Sequence, residues 1–168
     1  MKDLEFDQIY AIMKASFPAN EFRTYRGQKL LLQDPAYRLL IHRNDNQQIT
    51  AFLAAWEFES LRFVEHIAVD PAGRGSGIGG KLMTTYMKES QKPLILEVEL
   101  PDTPLSKRRI LFYERLGFYI NPYDYVQPAL SGQAAIPLKI MSYPKPLTPK
   151  QFANVKSVLY SKVYKVAD

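Results

Sequence analysis

Five of the chain's eight glycines fall within eight consecutive residues, in Asp70-Pro71-Ala72-Gly73-Arg74-Gly75-Ser76-Gly77-Ile78-Gly79-Gly80-Lys81. Glycine lets the backbone turn where other residues cannot and lets it approach a neighbour closely. Strand-like apolar sequence precedes the segment and a helical period follows it. A glycine-rich strand-to-helix connection can aim several N–H groups and the positive end of a helix dipole at one anion. The plainer alternative is a simple turn. Two phosphate-binding patterns fit only superficially. Gly75-x-Gly77-x-x-Gly80, with Glu97 further on, matches the dinucleotide fingerprint, but that motif follows its strand directly at the start of a doubly wound sheet. Here Asp70-Pro71-Ala72 intervenes and too little chain remains. Gly75 to Gly80 followed by Lys81 imitates a Walker A loop, yet Leu82 stands where Ser or Thr must hold magnesium.

Composition narrows the chemistry. With 168 residues, the chain is expected to form one domain with a sizeable core. It has no Cys, which excludes a disulfide scaffold, a thiolate zinc site and a cysteine nucleophile. Only His42 and His66 are present, so no metal centre is expected. The longest apolar run, Ala51 to Trp56, is far short of the roughly 20 residues of a spanning helix. The first ten residues carry acids where a signal peptide wants a basic flank, so a cytoplasmic protein without membrane attachment is expected. The net charge of +5 suits an anionic ligand. Basic residues are scattered apart from Lys107-Arg108-Arg109, with no aromatic interleaving, so nucleic acid is not expected.

Periodicity predicts a helix over residues 4–17, with Asp3 as its cap and Phe6, Ile9, Tyr10, Met13 and Phe17 on one face. A short helix fits Tyr25 to Gln33. Strands fit Tyr37 to Arg43, Ile49 to Glu59 and Leu61 to Asp70, the first two joined by the turn Asn44-Asp45-Asn46-Gln47. A helix follows from Gly80 to Gln91, then a strand over Pro93 to Leu100. Thr103-Pro104 opens a helix that Gly117 ends. Further strands fit 118–120 and 136–143. Pro122 and Pro128 bracket a loop stiff enough for a lid, and Thr148-Pro149 opens a last helix carrying Phe152, Val155, Leu159 and Val163. The order gives an α/β or α+β domain built on one mixed sheet.

A third reading of the glycine loop takes in more of the chain. Arg74-x-x-Gly77-x-Gly79, the preceding Ile67-Ala68-Val69-Asp70-Pro71 and the later Phe112-Tyr113-Glu114-Arg115-Leu116-Gly117-Phe118 together resemble the GNAT family of N-acetyltransferases, from about residue 4 to 143. The resemblance implies a single GNAT-like domain over 1–168, with 148–168 appended as an extra C-terminal helix. Its mostly antiparallel central sheet would be flanked by helices and would splay between the strands at 62–69 and 94–100. It implies acetyl-CoA as cofactor, held by Ile67, Ala68, Val69, Arg74, Gly75, Ser76, Gly77, Ile78 and Gly79. Where the family often has Asn and Ala, this chain has Ser106 and Arg109. Ser106 can still donate to the cofactor, and Arg109 either nears a phosphate or faces water.

The implied reaction moves an acetyl group to a primary amine of a small molecule or peptide. Without Cys, direct transfer in a ternary complex is expected. Glu65 resembles the family's proton acceptor, with a purely structural carboxylate as the alternative. His66, on the other face of the strand, is read as a packed histidine and the second candidate base. Tyr113 matches the family's proton donor to the leaving thiolate, and a core aromatic is the alternative. Glu21, Arg23, Trp56, Tyr123, Asp124 and Tyr125 are placed to line the acceptor. A homodimer is compatible with this reading. A non-catalytic acyl-CoA-binding or regulatory module on the same fold stays open beside the enzyme.

Overall fold

The computed structural model describes residues 1–130 and 132–166. Its elements are α1 (Asp3–Ser16), α2 (Tyr25–Leu30), β1 (Tyr37–Arg43), β2 (Ile49–Glu57), β3 (Arg62–Val69), α3 (Ile78–Lys88), β4 (Leu94–Glu99), α4 (Pro104–Arg115), β5 (Tyr119–Ile120), β6 (Tyr125–Gln127), β7 (Ile136–Tyr143) and α5 (Pro149–Val158). This is a mixed α/β chain whose described strand pairs are antiparallel. It gathers into two compact units: Met1–Glu57 with Val64–Gln91, and Phe58–Phe63 with Lys92 onward. No helix among the described residues is long and apolar enough to cross a membrane.

In the first unit, β1 and β2 pair from Tyr37↔Trp56 to Arg43↔Ile49. The Asn44 side-chain oxygen closes their turn by accepting from the Asn46 and Gln48 N–H groups. His42 is half-buried, with Nδ1 3.0 Å from Thr50 Oγ1. The unbroken apolar run in β2 leaves Ala51 to Trp56 without exposed surface, as a strand covered on both faces requires. Ile9, Ile12 and Met13 of α1 pack with Phe52, Ala54 and Ala68. Asp3 is the first residue of α1 and not its cap; its carboxylate instead pairs with Lys29 of α2 at 2.8 Å. Helix α3 begins at Ile78, before the expected Gly80. Burial of Met83, Tyr86 and Met87 overrides the low helix propensity of Gly79 and Gly80.

In the second unit, the Arg62 N–H donates to Pro93 O at 2.9 Å, tying the 58–63 segment to the approach to β4. β4 pairs with β7 from Leu94↔Tyr143 to Glu99↔Leu138, β5 pairs with Met141 and Ser142 of β7, and β6 with Ile136 to Leu138. The proline-bracketed segment expected as a loop and lid is therefore partly strand. β6 pairs Tyr125, Val126 and Gln127 with Leu138, Pro137 and Ile136. Buried Asn121 holds the turn before it, donating to Ile140 O and Ser142 Oγ and accepting from the Leu147 N–H. The last helix is capped by Thr148 and passes into a π-turn over Leu159–Val163. Tyr164 beyond it donates to Glu97 at 2.6 Å. Ala167 and Asp168, the end of the predicted appended helix, lie outside the described residues.

Gly117 ends α4 at φ 104°, and a Cβ there would stand 3.1 Å from the Tyr143 ring. A left-handed backbone costs other residues about 1–2 kcal/mol. Gly117→Ala is expected to lose at least that amount, read as a lowered urea midpoint with an unchanged m-value.

Candidate functional site

The glycine loop in the first unit, between β3 and α3, is a candidate anion cradle. Asp70 starts it by accepting from the Ala72 N–H, which turns Pro71–Gly73 into one 3₁₀ turn. Ser76 Oγ donates back to Gly73 O at 2.6 Å. Arg74 folds away from the loop, donating through Nε to Val69 O and through Nη2 to Ser16 Oγ. Gly75 and Gly77 take left-handed φ values of 89° and 81°. A Cβ at either would meet nothing within 4 Å, so their backbone borders open space. At Gly79 a Cβ would touch Val69 Cγ2 at 3.4 Å. The first capping bond of α3 is Lys81 N–H to Gly77 O, and Gly77 supplies no side-chain cap. The N–H groups from Gly75 to Gly79 have no hydrogen-bond partner among the described residues. Five uncommitted donors at the start of an 11-residue helix fit a pyrophosphate.

β3 leads into this cradle. Val64, His66 and Ala68 are buried, while Glu65, Ile67 and Val69 are less so. On the His66 side, Nε2 lies 2.7 Å from Glu21 O and the ring meets Phe17 edge-on. Burial depresses the His66 pKa against the opposing pull of Glu65, which makes the imidazole neutral near pH 7. Nε2 then donates, and the buried Nδ1 has no partner among the described residues.

On the other side of β3, Glu65 is the centre of a buried cluster. Its side chain is 3% exposed. Oε2 accepts from Arg23 Nη1 at 2.8 Å and Oε1 from Trp56 Nε1 at 2.8 Å. Arg23 is itself held: Gln28 Oε1 accepts from both its Nη1 and its backbone N–H, and Tyr10 donates to its carbonyl at 3.0 Å. Tyr37 completes the cluster, its ring 5.1 Å from that of Trp56. Burial alone would raise the Glu65 pKa. The Arg23 charge and the hydrogen bonds from Trp56 and Arg23 outweigh it and hold the carboxyl below its ordinary value. Tyr37 is pushed well above the usual phenol range by burial and then by the Glu65 charge.

In the second unit, Tyr113 sits on α4 with its ring against Phe112 and Phe118. Burial, eased by the Arg109 charge, pushes its pKa up to about 12, so the phenol keeps its proton at neutral pH. Its hydroxyl has no hydrogen-bond partner among the described residues. Arg109 pairs with Glu99 at 3.1 Å, and both side chains are more than a third exposed, so Arg109 faces water within an ion pair.

Several sequence expectations change here. Ser106 is buried, and its hydroxyl is spent on Thr103 in the capping box of α4, so the cofactor contact is not carried forward. Trp56 has no exposed surface and cannot line an acceptor. Tyr125 is buried and donates to Glu97 at 2.5 Å. Tyr123 is half-buried against Phe152 and donates to Leu147 O. Asp124 is exposed beside Lys139. Glu21 lies on the turn before Arg23, its carbonyl taken by His66. Sequence reasoning missed Gln28 and Tyr37, since no local pattern marks residues that meet Glu65 only in three dimensions. Among the described residues no group of three or more His, Cys, Asp or Glu could hold a metal ion.

Comparison with known proteins gives this arrangement its family. A family model described as an acetyltransferase (GNAT) domain matches residues 35–120, which span β1 to β5 and include the cradle and Tyr113. A protein of Bacillus subtilis (strain 168), YjbC, named as an acetyltransferase, is 25% identical over 163 residues, covering 95% of this chain and 82% of that protein. A solved GNAT-family structure from Bacteroides thetaiotaomicron superposes with a TM-score of 0.87 at 28% identity, over 97% of this chain and 93% of that one. A Sinorhizobium meliloti phosphinothricin acetyltransferase, solved in complex with AcCoA, shares the fold with a TM-score of 0.63 at 14% identity, over 89% of this chain and 88% of that one. The chain belongs to the GNAT acetyltransferase family.

Proposed function

We propose that this protein transfers an acetyl group from acetyl-CoA to a primary amine by direct attack, with both substrates bound together. The observation that carries the reading is the cradle of uncommitted N–H groups from Gly75 to Gly79 at the head of α3. An AcCoA complex on the same fold supports the choice of anion. When bound, acetyl-CoA supplies an activated acetyl thioester. The chain's own residues then have three tasks. Gly75, Ser76, Gly77, Ile78 and Gly79 would hold the pyrophosphate. Main-chain N–H groups near Ile67, Ala68 and Val69 would polarise the acetyl carbonyl, a preorganised dipole effect. Tyr113 would keep a proton at its phenol oxygen for the departing thiolate. With no Cys, the chain offers no thiol to carry the acetyl group in between.

The test is release of free CoA thiol in the presence of a panel of amines, beside thermal shifts with acetyl-CoA, ATP and NAD. The expected result is a shift with acetyl-CoA alone and thiol release that depends on one class of amine. A shift without amine-dependent release would make the protein a binding module. Shifts with ATP or NAD only would remove CoA as the ligand.

A further inference from the structure

The residue at the family's proton-accepting position is committed elsewhere in this chain. Both Glu65 oxygens already accept a charged or indole N–H at 2.8 Å, inside a cluster that leaves the side chain 3% exposed. A carboxylate can accept about four hydrogen bonds, so the oxygens are not saturated in principle. The remaining lone pairs lie within the same enclosure, and the two donors beside them are fixed by their own surroundings. Arg23 is gripped at backbone N–H, carbonyl and guanidinium by Gln28, Tyr10 and Glu65. Trp56 is packed by Tyr37 and is without exposed surface.

The charged and titratable groups around Glu65 come from every packed element. They are Arg23 from the turn after α1, Tyr37 from β1 and His66 from β3 itself, with the polar Gln28 of α2 behind Arg23. The two sides of β3 act on one piece of chain. Glu65 pulls on Arg23, and His66 holds the carbonyl of Glu21 two residues earlier. Together they fix the 21–23 segment against β3.

We infer that Glu65 is a positioning residue that fixes Arg23 and Trp56 beside β3, and that the acceptor's proton does not pass to its carboxylate. The inference rests on the proposed acetyl transfer. It also deepens that reading toward a substrate class. The amine loses its first proton to water before binding. As the N–C bond forms and the C–S bond breaks, the thiolate takes the Tyr113 proton, and the second nitrogen proton returns to Tyr113 through water. Such an enzyme favours an amine with an appreciable neutral fraction near pH 7. An α-amino group, at about 7.7–8.0, is about a tenth neutral there, whereas an alkyl ammonium, at about 10.4, is neutral to less than about one part in a thousand.

Trp56 is the chain's single tryptophan, and its indole N–H is bonded to Glu65, so its fluorescence reports on this carboxylate without any turnover. In the wild-type protein the emission should stay constant from alkaline pH down past the ordinary glutamate value of about 4.3. A general base works best with a pKa near the operating pH. A titration of the emission around neutral pH, absent in Glu65→Gln, would therefore overturn the inference.

Turnover supplies the second arm. Glu65→Gln and Arg23→Gln should each lose about tenfold to a hundredfold, a typical effect of misplaced binding groups. The loss should be the same at every pH, and the double variant should be little worse than either single one. A Glu65→Gln defect that shrinks as pH rises, with Arg23→Gln near wild type, would overturn the inference. If no amine is acetylated, the proposed activity falls. The wild-type fluorescence titration still decides the state of Glu65, even where a variant fails to fold.

Discussion

Gly77→Asp and Gly79→Asp proteins should fold but lose the thermal stabilisation that acetyl-CoA gives the wild type. At about a hundredfold excess over Kd, a ligand adds about 2.7 kcal/mol, which moves the melting point of a chain this size by several degrees. The two substitutions act differently. At Gly77 the new side chain has open space but must accept φ 81°, a strain of about 1–2 kcal/mol that Asp tolerates better than most residues. At Gly79 the backbone is helical and the Cβ needs only a slight shift of Val69. Both place a carboxylate beside the five N–H groups proposed to hold the pyrophosphate. Gly77→Asn separates charge from backbone, since Asn accepts the left-handed conformation without repelling the ligand. It should retain part of the shift. A full acetyl-CoA shift in both Asp variants would move the cradle elsewhere.

Tyr113→Phe should lower turnover by about 10²–10⁴-fold, the usual worth of a positioned proton donor, with acetyl-CoA affinity nearly unchanged. The phenol suits the task because burial pushes its pKa up to about 12 and no described residue ties up its hydroxyl. The packing against Phe112 and Phe118 uses the ring alone, so phenylalanine preserves it. Rapid-quench measurement of the first turnover isolates the chemical step from product release. An unchanged first-turnover rate would leave Tyr113 as a core aromatic.

The parts of this protein that were legible in its sequence are those set by local rules. Five clustered glycines between a strand pattern and a helix pattern mark the strand-to-helix loop, and the left-handed φ values of Gly75 and Gly77 show why two of them are needed. The Asn44–Gln47 turn and the Thr103-Pro104 to Gly117 helix were equally local. What sequence did not show depends on tertiary pairing. β6 has three residues, too few for a period, and exists because β7 offers it a partner. The partners of Glu65 come from the turn before α2 and from β2, so no local pattern shows that its carboxylate is enclosed. Trp56 was placed at an acceptor surface, although its place at the end of an unbroken apolar run already pointed to burial. Ser106 was read through the family pattern, while its partner Thr103, three residues earlier, had a nearer claim on its hydroxyl.

Acetyl transfer by this chain would leave the acetyl group on an amine nitrogen. The most direct measurement incubates the protein with isotope-labelled acetyl-CoA and a panel of α-amines, alkyl amines and aromatic amines, then follows each amine by mass spectrometry. Labelled N-acetyl product is expected in step with CoA release, stronger for the amines with the larger neutral fraction near pH 7 than for alkyl amines, and greatly reduced in Tyr113→Phe. Saturable acetyl-CoA binding with every amine recovered unlabelled would contradict it.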